Sequence, residues 1–234
     1  MRDTPTAMIL AAGRGERMRP LTDDCPKPML AVGGKPLIVW HLERLARAGF
    51  ERIVVNHAHL GERIEAGLGD GSRWGLRIAY SREASALETA GGIANALPLL
   101  GESPFLVVNG DVFTDFDPGR AITIVAQMHA ARLLAWCVLV PNPDHHPAGD
   151  FDLEAGRLVH RAPARFTFSG IGVYSPRLFG AIAPGSRAPL APLLRDAAAH
   201  GLAGAECFDG TWIDVGTAAR LAELDAQLRA GGRS

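Results

Sequence analysis

Long apolar runs are missing from this chain. AMILAA at 7–12 and LLAWCVLV at 133–140 fall far short of the roughly 20 residues an apolar helix needs to cross a bilayer. No charged-then-apolar leader opens the sequence, because its first apolar run leads straight into a glycine loop, so the expectation is a cytoplasmic protein without a signal peptide. Cysteine is scarce too. Cys25, Cys137 and Cys207 are far apart without CxxC spacing, which argues against a disulfide framework and a zinc site. Charge of one sign is lacking as well: a formal net charge of −1 exerts no general pull on nucleic acid, so neither nucleic acid nor membrane is an expected partner. An anionic ligand would have to be held by a local basic cluster. There is no GxxxxGK[ST] phosphate loop and no internal repeat.

What is present suits one large α/β domain over 1–234, with 47% hydrophobic and 21% charged residues. The run at 7–12 ends at Gly13, the pattern of a strand buried on both faces in a parallel sheet. After a loop to about residue 28, helices are expected near 36–49, 60–68, 89–97 and 119–132, alternating with strands near 52–56, 76–81, 104–109 and 133–140. That βαβα order implies a Rossmann-like, mostly parallel sheet flanked by helices. Beyond residue 140, prolines and short strand-like pieces at 151–153, 157–159 and 166–174 read as a small β-rich insertion, about 141–210, on the same sheet. Helices near 192–200 and 217–229 follow, and the closing RAGGRS reads as a frayed tail.

The densest chemistry lies in LAAGRGERMRPLTDDCPKP at 10–28. Glycines at the carboxyl end of a first strand let backbone N–H groups approach phosphate oxygens. A dinucleotide fingerprint would require a third glycine where Met18 stands and an immediate helix, which Pro20, Pro26 and Pro28 forbid. What remains is a stiff basic loop carrying Arg14, Arg17, Arg19 and Lys27, suited to a polyphosphate. Asp111 ends the apolar stretch FLVVNGD, and Asp214 follows another short apolar stretch in TWIDVGT. Each alone reads equally as a turn residue or helix cap, while together they could hold Mg²⁺ completed by phosphates and water. Asp23, Asp24, Asp115 and Asp117 read as turn residues, and His57, His59, His145 and His146 as packing or hydrogen-bonding groups rather than zinc ligands.

LAAGRGERMRPLTDDCPKPML, followed by GGKPLI, resembles the signature of the sugar-1-phosphate nucleotidyltransferases. The resemblance implies the nucleotide-diphospho-sugar transferase fold, with the nucleotide held by about 1–140 and the sugar by about 141–210. It implies nucleotide binding by Ala11, Ala12, Gly13, Gly15, Glu16, Arg17 and Lys27, with Arg17 and Lys27 catalytic. Glu16 stands where many members carry threonine, so its backbone N–H alone is expected to serve. Glu88, Thr89 and Gly91 of ALETAGGI, and Asn109, complete the nucleotide set. For the sugar it implies Gly149 and Asp150 of HHPAGDF and Ser169 and Gly170 of FSGIGVY, and for Mg²⁺ Asp111 and Asp214.

Within that family, GRGERMRPLT, NHAHLGERIE, GDGSRWG, HHPAGDF and FSGIGVY are similar to the branch that uridylates N-acetylmuramate 1-phosphate in peptidoglycan recycling. UTP and a sugar 1-phosphate are then the expected substrates, and Arg165 is a candidate for meeting a muramate lactyl carboxylate. The alternatives are a mannose or glucose 1-phosphate nucleotidyltransferase using GTP, UTP or dTTP, and a non-catalytic sugar-nucleotide sensor. Arg17, Lys27, Asp111 and Asp214 occurring together argue against the sensor.

Overall fold

Ala7, Met8 and Ile9 are fully shielded from solvent because the first strand has a parallel neighbour on each side. The computed structural model describes residues 5–161 and 163–231. Its first half runs β1 (Ala7–Leu10), β2 (Ala31–Val32), β3 (Lys35–Pro36), α1 (Leu37–Arg47), β4 (Arg52–His57), α2 (Gly61–Leu68), β5 (Arg77–Arg82), α3 (Glu88–Leu100) and β6 (Phe105–Asn109). Then come β7 (Val112–Thr114), α4 (Arg120–Ala131), β8 (Ala135–Pro141), β9 (Asp152–Glu154), β10 (Arg157–Val159) and β11 (Phe166–Tyr174). The chain closes with α5 (Leu190–Ala199), β12 (Ala203–Cys207), β13 (Trp212–Asp214) and α6 (Ala218–Gly231).

Nine strands form one sheet in the order β5-β4-β1-β6-β11-β8-β12-β10-β9. All run one way except β10 and β11, which gives the mixed but mostly parallel sheet that the βαβα order implies. Since β11 lies between β6 and β8, the insertion and the nucleotide half share that sheet. Helices cover both faces. Leu42 and Leu45 of α1, Ile64 of α2 and Met128 of α4 pack on one side, and Ile93 of α3 with Leu190 and Leu194 of α5 on the other. Each such side chain, fully buried, contributes about 1.5–3 kcal/mol.

Beyond the short strands β2, β3, β7 and β13, which the sequence reading leaves out, three features depart from it. The loop at 10–28 is not wholly irregular, because single 3₁₀ turns form at Glu16–Met18 and Lys27–Met29, the latter accommodating Pro28 where no N–H is required. Strand β12 went unread: AGAEC lacks β-branched residues, and Gly204 admits the Trp136 ring beside it. The tail begins later than expected, since α6 continues through Gly231; the rest of it lies outside the described residues. Leu221 and Leu224 of α6 pack with Met18, Leu37 and Val215, and Asp225 accepts from the Gly33 N–H at 2.8 Å, so this helix braces the glycine loop.

At the ends of β4 and β5, the Glu65 carboxylate meets His57 Nε2 and two Arg82 nitrogens, each at 2.7 Å. The Arg82 hydrogen bonds, chiefly, hold Glu65 down at about 2. A carboxyl whose folded pKa is depressed stabilises above its ordinary value and loses that contribution as the pH falls toward the lower one. Glu65→Gln is therefore expected to lower stability by about 1 kcal/mol at pH 7, the largely exposed Arg82 limiting the effect. The gap should close between about pH 4.5 and 2, read from urea midpoints across that range.

Candidate functional site

The parallel strands end in a polar row. Leu10 is in register with Asn56 on one side and Asn109 on the other, so both amides stand at the carboxyl edge where ligands of open α/β sheets bind. Three adjoining hollows open there, of about 200, 390 and 370 Å³, and Asn109 lines all of them. The first lies between Ala11, Ala12 and Gly13 and the segment Glu88–Thr89, with Lys27 and Asp111 at its inner end. The second contains Asp150, Phe168 and the start of α5, and the third holds Arg17, Asp111, Ser169, Gly170 and Asp214.

The glycine loop is shaped from within. Gly15 has φ +67, Met18 is fully buried as its anchor, and the Thr22 hydroxyl donates to the Gly15 carbonyl at 2.9 Å. Lys27 sits between two buried prolines, only 8% exposed, and donates through Nζ to Asp111 Oδ2 at 2.5 Å. The loop backbone is fixed from below: the Ala11 N–H donates to Asn56 Oδ1 at 2.9 Å, and Asn56 Nδ2 donates to Glu83 at 2.7 Å. Glu83 also accepts from the Leu87 N–H at 2.9 Å, so one buried chain of hydrogen bonds joins the glycine loop to the start of α3. Asn56 and Glu83 were missed in the sequence; an asparagine closing an otherwise apolar strand, RIVVN, was the available signal.

Asp111 and Asp214 come together through a second small sheet. β7 and β13 pair antiparallel, Asp214 opposite Val112, and the Val215 N–H donates to the Asp111 carbonyl at 2.9 Å. Asp214 also accepts from Arg220 at 2.9 Å. Two hard carboxylate oxygens in one hollow suit Mg²⁺, which keeps water and phosphate in most of its octahedral positions. Among the described residues no group of three or more His, Cys, Asp or Glu side chains forms a protein-only cage. His145 contacts Arg220, and His146 lies 3.0 Å from Asp150.

Other expected residues divide between lining the cleft and shaping it. Glu88 and Thr89 line it; Glu88, at φ +60, is held by Arg187 at 2.8 Å. Gly15, Glu16, Gly91 and Gly149 line none of the three hollows. Gly91 lets α3 approach the Ser186–Ala188 backbone, to which its N–H donates at 3.0 Å, and a Cβ at Gly149 would lie 2.6 Å from the Ala164 carbonyl. The Ser169 hydroxyl donates to the Val138 carbonyl at 2.7 Å and accepts from the Ile171 N–H, so it is committed to the bulge in β11. Arg165 is a correction: it is paired with Asp152 at 2.6 Å and lines none of the hollows.

Gly170 has φ +77, and a Cβ there would lie 2.6 Å from Asn109 Nδ2. Gly170→Ala is expected to cost about 1–2 kcal/mol through the left-handed backbone alone. It should also displace Asn109, which lines all three hollows, and so raise KM for a substrate bound there. Thermal unfolding and steady-state kinetics measure the two effects.

The family model for Nucleotidyl transferase matches residues 6–231. A Neisseria meningitidis protein, N-acetylmuramate alpha-1-phosphate uridylyltransferase, is 54% identical over 94% of this chain and 96% of its own length. The protein of that name from Caulobacter vibrioides is 37% identical, covering 95% and 96%. A Bacillus anthracis protein assigned as a glucose-1-phosphate thymidylyltransferase, solved in complex with a sucrose, shares the fold at TM-score 0.83 and 21% identity over 97% of this chain and 96% of that one. A family match across nearly the whole length and relatives 54% and 37% identical over almost both full lengths lead to one conclusion: the chain belongs to the nucleotidyl transferase family.

Proposed function

We propose that this chain transfers the uridylyl group of UTP to N-acetylmuramate 1-phosphate, giving UDP-N-acetylmuramate and pyrophosphate. The observation that carries the reading is the 54% identity, over nearly both full lengths, to a protein named for that reaction. A phosphate oxygen of the sugar 1-phosphate attacks the α-phosphorus of UTP; the bond from that phosphorus to the bridging oxygen breaks, and pyrophosphate leaves with its electrons. The nucleophile is already an anion, so no general base is needed. What the protein must do is bring two mutually repelling phosphates into line.

The hollow between the glycine loop and Glu88–Thr89 takes the nucleotide in this reading, with the Ala12 and Gly13 backbone and Arg17 toward the triphosphate. Lys27 faces the reacting phosphorus, exchanging its Asp111 partner for substrate oxygens. The hollow containing Asp150 and Phe168 takes the sugar. Nucleotidyltransferases generally depend on a divalent metal; here Asp111 and Asp214 would hold Mg²⁺, which supplies neutralisation of phosphate charge. Because UTP is a cytoplasmic metabolite, the reaction is assigned to the cytoplasm. Among the described residues no helix is long and apolar enough to cross a membrane.

Pyrophosphate release with UTP, Mg²⁺ and a panel of N-acetylmuramate, N-acetylglucosamine, glucose and mannose 1-phosphates tests the reading. N-acetylmuramate 1-phosphate is expected to give the highest kcat/KM. A clear preference for glucose or mannose 1-phosphate, or no release with any of the four, would overturn it.

A further inference from the structure

We infer that Arg195 is a specificity-determining residue that reads the carboxylate distinguishing N-acetylmuramate 1-phosphate from N-acetylglucosamine 1-phosphate. The inference rests on the proposed function and deepens it. The two sugars differ by one group, a lactyl ether carrying a methyl and a carboxylate. Enclosing that carboxylate without a cation would lose hydration that nothing replaces.

Sequence position explains why α5 can meet such a group. Ala191, Leu194 and Arg195 are spaced i, i+3 and i+4, so they share one helix face, and all three line the hollow that Asp150 and Phe168 also line. Leu194 is buried and anchors that face in the core, while Arg195 is exposed to the cleft. The same stretch of wall offers apolar surface for the methyl and a planar fork of donors for the carboxylate.

Three other cationic or basic side chains near this hollow are engaged. Arg165 is paired with Asp152 at 2.6 Å, and Arg187 with Glu88 at 2.8 Å. His146 contacts Asp150 at 3.0 Å, and Asp150 also accepts from the Phe168 N–H at 2.9 Å, so that carboxylate is already partnered on both oxygens. Arg195 makes no ion pair or hydrogen bond with any of the described residues. An arginine lining a ligand hollow without a carboxylate partner is free to take one from the substrate.

The test is the ratio of kcat/KM for N-acetylmuramate 1-phosphate to that for N-acetylglucosamine 1-phosphate, measured with UTP and Mg²⁺ for wild type, R195A, R195K and R195E. Loss of a charge-assisted hydrogen bond predicts that R195A lowers the ratio about 10- to 100-fold, mainly through KM for the muramate. R195K should recover part of it, and R195E should lower it further. Thermal unfolding checks the fold of each variant, and R195K supplies the ratio if R195A does not fold. A ratio unchanged across the variants, or equal losses on both sugars, would overturn the role of Arg195. A wild type that turns over another sugar 1-phosphate but not the muramate would overturn the substrate assignment itself, and is seen before any variant is made.

Discussion

Lys27→Ala is expected to lower kcat about 10²–10³-fold, the loss seen when one preorganised donor to a developing oxyanion is removed. Preorganisation is visible in the fold. Pro26 and Pro28 fix the backbone on either side, burial removes alternative side-chain positions, and Asp111 receives Nζ at 2.5 Å. A flexible surface lysine would pay side-chain entropy on meeting its ligand, whereas this one has little left to lose. The effect should fall on kcat more than on KM, because the charge on the transferring phosphoryl group peaks in the transition state. Removing the lysine also strands Asp111, so pyrophosphate release should be read beside thermal unfolding. Unchanged turnover in a folded variant would take Lys27 out of the mechanism.

Much of this site is legible in the sequence because its elements are local. The apolar run into Gly13 and the spacing of GRGERMRPLT and PKP announce a phosphate-facing loop before any tertiary contact is known, and NGD marks a strand end. What escapes is what depends on distant pairing. Nothing in WID or VFT says that β13 pairs with β7, yet that pairing places Asp214 beside Asp111. Asn56 and Glu83 carry a signal too short to separate from ordinary polar residues, and their role appears once the parallel register sets Asn56 beside Leu10. Arg195 has the same history: it is one arginine on an amphipathic helix until α5 packs against the cleft. Glycine carries two readings at once. Gly91 and Gly149 read in the sequence as phosphate and sugar contacts, and in the fold close backbone approach also calls for a glycine at each.

Asp111→Asn is expected to lower kcat on the order of 10³-fold, because on the proposed function it removes one of the two carboxylates that would hold Mg²⁺, and with it the several kcal/mol of charge stabilisation the ion would supply. The substitution has a second consequence. Lys27 is buried, and without Asp111 its ammonium loses its counter-charge, so stability should fall by about 1–3 kcal/mol. The two losses separate in a double-mutant cycle with Lys27→Met. If Asp111 serves only as the partner of Lys27, the double variant regains stability and turns over as fast as Lys27→Met alone. If Asp111 is a metal ligand, the double variant regains stability while its turnover stays well below that of Lys27→Met alone, and in Asp111→Asn alone the Mg²⁺ concentration for half-maximal rate rises. Turnover equal to that of Lys27→Met would reduce Asp111 to a partner for Lys27. A non-additive stability term with additive activity losses would instead give each residue its own part in the reaction: a lysine aimed at the reacting phosphate, and a carboxylate that holds the ion beside it.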